Sequence, residues 1–269
     1  MSQLKAEGVS TPRVLVIAGS DSSGGAGIQA DIKTVTMLRG YAMTAITAVT
    51  AQNTTGVTMV EALSPDMVGA QIDACLSDIG ADAVKIGMLG SPEIAHVVAD
   101  RLEALDVPIV FDPVMVATSG AVLADEATIA AFSRLMKLAT LTTPNLPELE
   151  VLASAACRTD QDVIEAGLAL VRSQGCAVLA KGGHTLGDRV VDRLFEAQGG
   201  FASYDDPRLD TRHTHGTGCT LSSAIATLLG KGWPLRDAVE EARQFVRRAL
   251  IAAPGFGAGH GPMGHQAVR

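Results

Sequence analysis

The stretch RVLVIAGSDSSGGAGIQADIKTVTML, residues 13–38, sets the reading of the whole chain. Val14–Ala18 is apolar at every position, as a strand covered on both faces must be. A turn rich in glycine and serine follows, and Ala26–Leu38 then continues at helical spacing. Working outward, the same order of strand, polar turn and helix recurs. Met43–Val49, Ala83–Ile86, Ile109–Asp112, Leu141–Thr143 and Ala177–Lys181 read as strands. Asp66–Asp78, Pro92–Leu105, Asp125–Leu138, Pro147–Ala153, Asp160–Ser173, Cys219–Leu229 and Leu235–Ala252 read as helices, with Ser64, Ser91 and Thr159 as N-caps. The alternation predicts an α/β fold of three layers, α/β/α, with a mostly parallel central sheet and right-handed crossovers. Arg189–Asp210 departs from it. There Val190–Phe195 and Phe201–Tyr204 flank Gln198-Gly199-Gly200, a hairpin signal that predicts antiparallel strands at one sheet edge.

At 269 residues the chain is long enough for a sizeable core without disulfides or structural zinc. Hydrophobic residues at 47% against 19% charged exclude a disordered chain. Aromatics at 3% argue against stacking platforms for single-stranded nucleic acid. A net charge of −8 argues against DNA and anionic membranes as main partners. No linker or repeat interrupts the pattern, so one domain is expected over residues 13–262, with a flexible segment at 1–12 and a tail at 263–269. The glycines of Gly255–Arg269 predict that this end is loosely held. Cys75, Cys157, Cys176 and Cys219 form no C-x-x-C pair and read as buried thiols of a reducing cytosol. The opening MSQLKAEGVSTPR lacks the apolar core of a signal peptide, and no 18-residue apolar run follows; a cytoplasmic protein is expected.

In open parallel sheets ligands sit beyond the carboxyl ends of the strands, and every chemically suggestive cluster falls there. The run 18–27 contains Gly19, Asp21, Gly24, Gly25 and Gly27; it is neither a Walker A loop nor a clean G-x-G-x-x-G, and Asp21 suits ligand contact or a helix cap. Gln52 and Asn53 offer donors and acceptors suited to a neutral heteroaromatic ring, or form a polar turn. Asp112, ahead of Val114, Met115 and Thr118-Ser119-Gly120, is placed for Mg²⁺ or as a cap. Asn145 and Glu148, in a loop fixed by two prolines, suit a metal-bound phosphate, while Glu148 equally suits the helix dipole. Lys181 reads as a phosphate partner or a solvated lysine.

The strongest cluster is His213-Thr214-His215-Gly216-Thr217-Gly218-Cys219-Thr220. Gly-Thr-Gly at a helix start exposes backbone N–H groups at the positive end of the macrodipole, an anion hole for a transferring phosphoryl group. Cys219 at that helix start is expected to have a lowered thiol pKa. His213 and His215 read as solvated loop imidazoles.

Here the chain resembles the ribokinase-like superfamily, whose members carry a late Gly-x-Gly-Asp at a helix start; this sequence has Gly216-Thr217-Gly218-Cys219, with Cys in the place of the Asp base. With AGSDSSGGAGIQAD (18–31), TAVTAQNT (47–54), KIGML (85–89), TPNLPE (143–148) and KGGH (181–184), it is similar over nearly its whole length to the hydroxymethylpyrimidine/phosphomethylpyrimidine kinases of thiamine biosynthesis. The resemblance implies ATP-dependent phosphorylation of 4-amino-5-hydroxymethyl-2-methylpyrimidine to its monophosphate and then its diphosphate. It implies Mg²⁺, a homodimer and no separate lid domain. It assigns Gly19, Asp21, Gln52, Met88 and Val114 to the pyrimidine, and Asp112 and Glu148 to the metal. Asn145, Lys181, Thr214 and Gly218 fall to ATP, and Gly216, Thr217, Gly218 and Cys219 to catalysis, with Cys219 as base. Two alternatives remain: a pyridoxal kinase of the same fold, and a non-catalytic nucleotide-binding protein.

Overall fold

A computed structural model describes residues 11–116, 120, 122–184 and 187–268. Thr118 and Ser119 lie outside the described residues, as does most of the segment 1–12 expected to be flexible. In chain order the described elements begin with β1 (Arg13–Asp21), α1 (Gly27–Met37), β2 (Tyr41–Asn53), β3 (Gly56–Ala62), α2 (Pro65–Asp78), β4 (Ala83–Ile86) and α3 (Pro92–Leu102). β5 (Ile109–Phe111), α4 (Glu126–Leu138), β6 (Leu141–Thr142), α5 (Leu146–Ala153), α6 (Asp160–Gln174) and β7 (Ala177–Ala180) follow. The chain then forms β8 (Arg189–Phe195), β9 (Phe201–Pro207), α7 (Thr217–Gly230) and α8 (Leu235–Ile251), with a 3-10 turn at His265–Ala267.

The nine described strands form one sheet in the order β3-β2-β1-β4-β5-β6-β7-β8-β9. From β2 to β7 every pairing is parallel, while β3, β8 and β9 pair antiparallel at the two edges. The expected three-layer α/β/α architecture is therefore present, with helices on both faces. β1 shows why its sequence reads as unbroken apolar. Leu15 and Ile17 face one core, shared with Val68, Ile72, Val98 and Phe132 from α2, α3 and α4. Val14, Val16 and Ala18 face the other, shared with Val35, Ala224, Ile225 and Ala242 from α1, α7 and α8. Ser64, Ser91 and Thr159 accept first-turn amides as N-caps, as expected.

The structure differs from these expectations in four places. β2 runs on to Asn53, so Gln52 lies in a strand rather than in the turn after it. β3, a strand the sequence did not announce, returns along β2 after a tight turn. Asn53 Oδ1 builds that turn by accepting from the Thr55 amide and hydroxyl at 2.9 and 2.7 Å. β3 is missed because an exposed edge strand buries little and shows no clear alternation. The C-terminal end is not loosely held: Met263, His265 and Val268 are buried, and the Gly264 amide donates to Ala249 O at 2.9 Å. Its glycines serve close packing, since a Cβ at Gly257 or Gly259 would run into Thr54. Finally, of the four cysteines only Cys176 is buried as a whole residue, while Cys75, Cys157 and Cys219 are half-buried.

Candidate active site

One cavity of about 900 Å³ opens at the carboxyl ends of the parallel strands. It brings together Gly19, Asp21, Gln52, Met88, Asp112, Val114, Asn145, Glu148, Lys181, Thr214, Gly216, Thr217, Gly218 and Cys219, all the residues to which the resemblance gives a role, whereas Asn53 builds the turn to β3 and does not line it.

The end formed by β1 and β2 is shaped by glycine. Pairing of β1 with β2 shifts register between Ala18 and Ser20. Gly19 sits in that irregularity, and a Cβ on it would run into the Met88 thioether. The absent side chain thus lets Met88 lie over the strand. Asp21, 3% exposed, accepts from the Ser23 and Ala26 amides, each at 2.8 Å, from Gly25 N at 3.1 Å and from the Ser23 hydroxyl at 2.8 Å. It also pairs with His215 Nε2 at 2.8 Å. Burial would raise the Asp21 pKa, but the hydrogen bonds from His215, Ser23 and Ala26 outweigh it and hold it below the usual carboxylate range. Both Asp21 oxygens are therefore committed to folding the loop at 22–26. Gln52 approaches His215 Nε2 at 3.3 Å and accepts from Thr50 at 3.1 Å.

The opposite end is built by α7. Its N-cap, Gly216, adopts φ +85°, and a Cβ there would run into the Gly25 carbonyl, so the turn requires glycine on both counts. No side chain caps α7, and amides of its first turn have no intrahelical partner. Gly218 faces Lys181 Nζ and Asp112 Oδ2: a Cβ on it would lie 3.3 and 3.4 Å from them. Lys181 Nζ donates to Asp112 Oδ1 at 2.7 Å, and Thr143 donates to the same oxygen at 3.1 Å. Burial opposes the Lys181 charge, but Asp112 and Glu148 outweigh it and raise its pKa. Asn145 and Glu148 form a reciprocal cap on α5, Asn145 N donating to Glu148 Oε2 at 2.8 Å and Glu148 N to Asn145 Oδ1 at 2.9 Å. Burial pushes the Glu148 carboxyl up to about 7; Lys181 pulls it down and Asp112 pushes it further up.

Two expectations are corrected. The Cys219 thiol is pushed up, to about 11, rather than lowered. Burial is the main cause, with Asp31 and Asp112 adding to it, against the opposing pull of Lys85 and a Gly27 amide. The helix dipole does not win here because the thiol faces inward. His215, expected to be a solvated imidazole, is 4% exposed and stands between Asp21 and Gln52.

Beneath the cradle lie residues outside the expected set. Lys85, on β4, lines the cavity and pairs with Asp31 of α1, which also accepts from Ser223 of α7 at 2.6 Å. A lysine inside the apolar strand Ala83-Val84-Lys85-Ile86 is itself a signal, because lysine is almost never fully buried unless paired.

The carboxylates of Asp112 and Glu148 make an all-oxygen donor pair that fits Mg²⁺, which keeps several waters and takes one or two carboxylates beside substrate phosphates.

The family model described as phosphomethylpyrimidine kinase matches residues 21–264. The chain is 45% identical to the hydroxymethylpyrimidine/phosphomethylpyrimidine kinase of Rhizobium meliloti, over 95% of this chain and 97% of that one. It is 46% identical to the thiamine biosynthesis bifunctional protein ThiED of Geobacter sulfurreducens, over 94% of this chain, and spans about half, 52%, of that protein's length. Among solved structures, the ADP complex of Bacillus subtilis pyridoxal kinase superposes with a TM-score of 0.89 at 33% identity, covering 97% of this chain and 99% of that one.

Proposed function

The chain belongs to the phosphomethylpyrimidine kinase family, and from that premise we propose that it phosphorylates 4-amino-5-hydroxymethyl-2-methylpyrimidine with ATP, first to the monophosphate and then to the diphosphate. The observation that carries this reading is the single cavity with two unlike ends. One end offers an apolar wall and an amide, from Met88, Val114 and Gln52; the other offers open helix amides beside Lys181, Asp112 and Glu148. A flat neutral ring with one alcohol and a triphosphate need those two kinds of surface.

In this mechanism Gln52 hydrogen-bonds the ring edge while Met88 and Val114 cover its faces. The amides of Gly218 and Cys219 receive the charge of the transferring group, as preorganised donors do in phosphoryl transfer. Lys181, anchored by Asp112, adds a fixed positive charge. Thr214 and Asn145 stand along the phosphate side of the cavity. Asp112 and Glu148 would hold Mg²⁺, which when bound neutralises charge on the phosphates. The alcohol oxygen forms a bond to the terminal phosphorus as the bond from that phosphorus to the departing diphosphate oxygen breaks, and the alcohol proton leaves late, onto an oxygen of the transferred phosphoryl group. Because the Cys219 thiol is raised to about 11, its proton stays on Sγ at neutral pH. We assign it to orienting the alcohol rather than to strong base chemistry, since a loose transition state demands little base strength.

The test is a product assay with the pyrimidine alcohol, ATP and Mg²⁺, resolving products that carry no, one and two added phosphates. Accumulation of the monophosphate followed by the diphosphate is expected; no phosphorylated pyrimidine at all would refute the reading. The close superposition on a pyridoxal kinase supports a second reaction in the same cavity. Pyridoxal is expected to be turned over with a lower kcat/KM than the pyrimidine; a higher value would reverse the assignment.

A further inference from the structure

We propose that His215 is a positioning residue that aligns Gln52 for the pyrimidine; this rests on the function proposed above. The imidazole is held along its Nε2 and Cδ2 edge. Its Nε2 lies 2.8 Å from Asp21 Oδ2 and 3.3 Å from the Gln52 amide nitrogen. Its own backbone amide donates to Gly261 O at 3.2 Å, beside the pairing of His215 with Pro262. Gly25 packs against the Cδ2 edge, where a Cβ would run into the ring.

The chemistry of these contacts sets their direction. Asp21 is an ionised acceptor, held so by four hydrogen bonds within its own loop. The Nε2 proton of His215 therefore points at Asp21. The Gln52 amide nitrogen carries only donors, so it gains no hydrogen bond from an Nε2 whose proton is spent on Asp21. It is braced against the ring while its N–H groups stay available to a ligand acceptor. Its Oε1 is set from the other side by Thr50.

The test compares wild type with His215→Leu, His215→Gln, His215→Asn, Gln52→Ala and the double variant His215→Leu/Gln52→Ala. Glutamine carries its amide nitrogen about where Nε2 lies; asparagine falls short of it. His215→Leu is expected to raise the KM for the pyrimidine alcohol about tenfold, the size of one hydrogen bond, with the KM for ATP little changed. Its preference for the pyrimidine over pyridoxal falls by a similar factor. His215→Gln recovers most of both losses, and His215→Asn does not. Because His215 acts through Gln52, the double variant is no worse than Gln52→Ala alone. Additive losses, or KM values for alcohol and ATP that rise together, overturn the proposal. Should His215→Leu not fold, the Gln and Asn variants decide it: equal KM and preference in both overturns it. A wild-type enzyme inert towards the pyrimidine alcohol sinks the underlying function, and the positioning role with it. An active wild type with an unaffected variant sinks the positioning role alone.

Discussion

Lys85 Nζ lies 3.0 and 2.9 Å from the two carboxylate oxygens of Asp31, with both side chains wholly out of solvent. Burial opposes the ammonium, but the carboxylate charges of Asp31, first, and Asp112 outweigh it and raise its pKa. Removing one partner of such a pair leaves an uncompensated buried charge, at a cost of about 3–5 kcal/mol. Lys85→Met is therefore expected to lower the urea midpoint sharply. Adding Asp31→Asn should recover part of the loss, because the stranded carboxylate disappears while Ser223 keeps a hydrogen-bond partner. A double variant less stable than Lys85→Met would refute an energetic pair.

The raised Cys219 thiol makes a chemical prediction. With a pKa of about 11 the thiolate is scarce at neutral pH. Alkylation by iodoacetamide should be slow at pH 7.5 and accelerate through pH 9–10, the reverse of an activated cysteine. Cys219→Ala should lower kcat by on the order of 10²-fold. Cys219→Ser, which keeps a hydroxyl donor in place, should retain much more. Equal losses in both variants, with fast alkylation at pH 7.5, would point to a thiolate base instead.

How far the sequence carried the reading follows from what each residue does locally. The parallel strands are legible because burial on two faces forces unbroken apolar runs such as Val14–Ala18. Asp21, Gln52, Asp112, Glu148, Lys181 and Gly216–Cys219 are legible because strand ends concentrate glycine and polar side chains. What escaped depends on long-range contact. His215 meets Gln52 across 163 residues of chain and Asp21 across 194, so nothing near it in sequence announces its burial. The raised thiol of Cys219 escapes the sequence because helix position is local, whereas burial in the fold and the nearby charges of Asp31 and Asp112 are not. The C-terminal glycines looked loose because composition alone does not show the close approach of Gly257 and Gly259 to Thr54.

The packed C-terminal end has a pH signature. His265 Nε2 and the Thr220 hydroxyl of α7 lie 2.8 Å apart, and burial, aided by Lys33, lowers the His265 pKa to about 4 from its ordinary 6.5. The unfolded chain therefore binds a proton between those values that the folded chain refuses. The associated stability is fully present above pH 6.5 and drains away as pH falls towards 4. At about 1.4 kcal/mol per pH unit this amounts to about 3 kcal/mol. His265→Gln should flatten the fall in Tm between pH 7 and pH 4.5; an unchanged slope would place the acid sensitivity elsewhere.

Gly218 separates the cradle from the fold. Its φ is not in the left-handed region, unlike that of Gly216. A methyl group there meets only Lys181 Nζ and Asp112 Oδ2 at 3.3 and 3.4 Å, ordinary or slightly tight contacts. Gly218→Ala is thus expected to fold with a Tm near that of wild type. The added methyl occupies the space where the phosphoryl group must approach the amides. Displacing a group from such donors costs about 10²–10³-fold in kcat, and both phosphorylations should fall together, because one set of amides serves both. Gly216→Ala should behave differently: its Cβ would run into the Gly25 carbonyl, so stability and activity are lost in parallel. If Gly218→Ala abolishes the first phosphorylation and spares the second, the two transfers do not share one cradle.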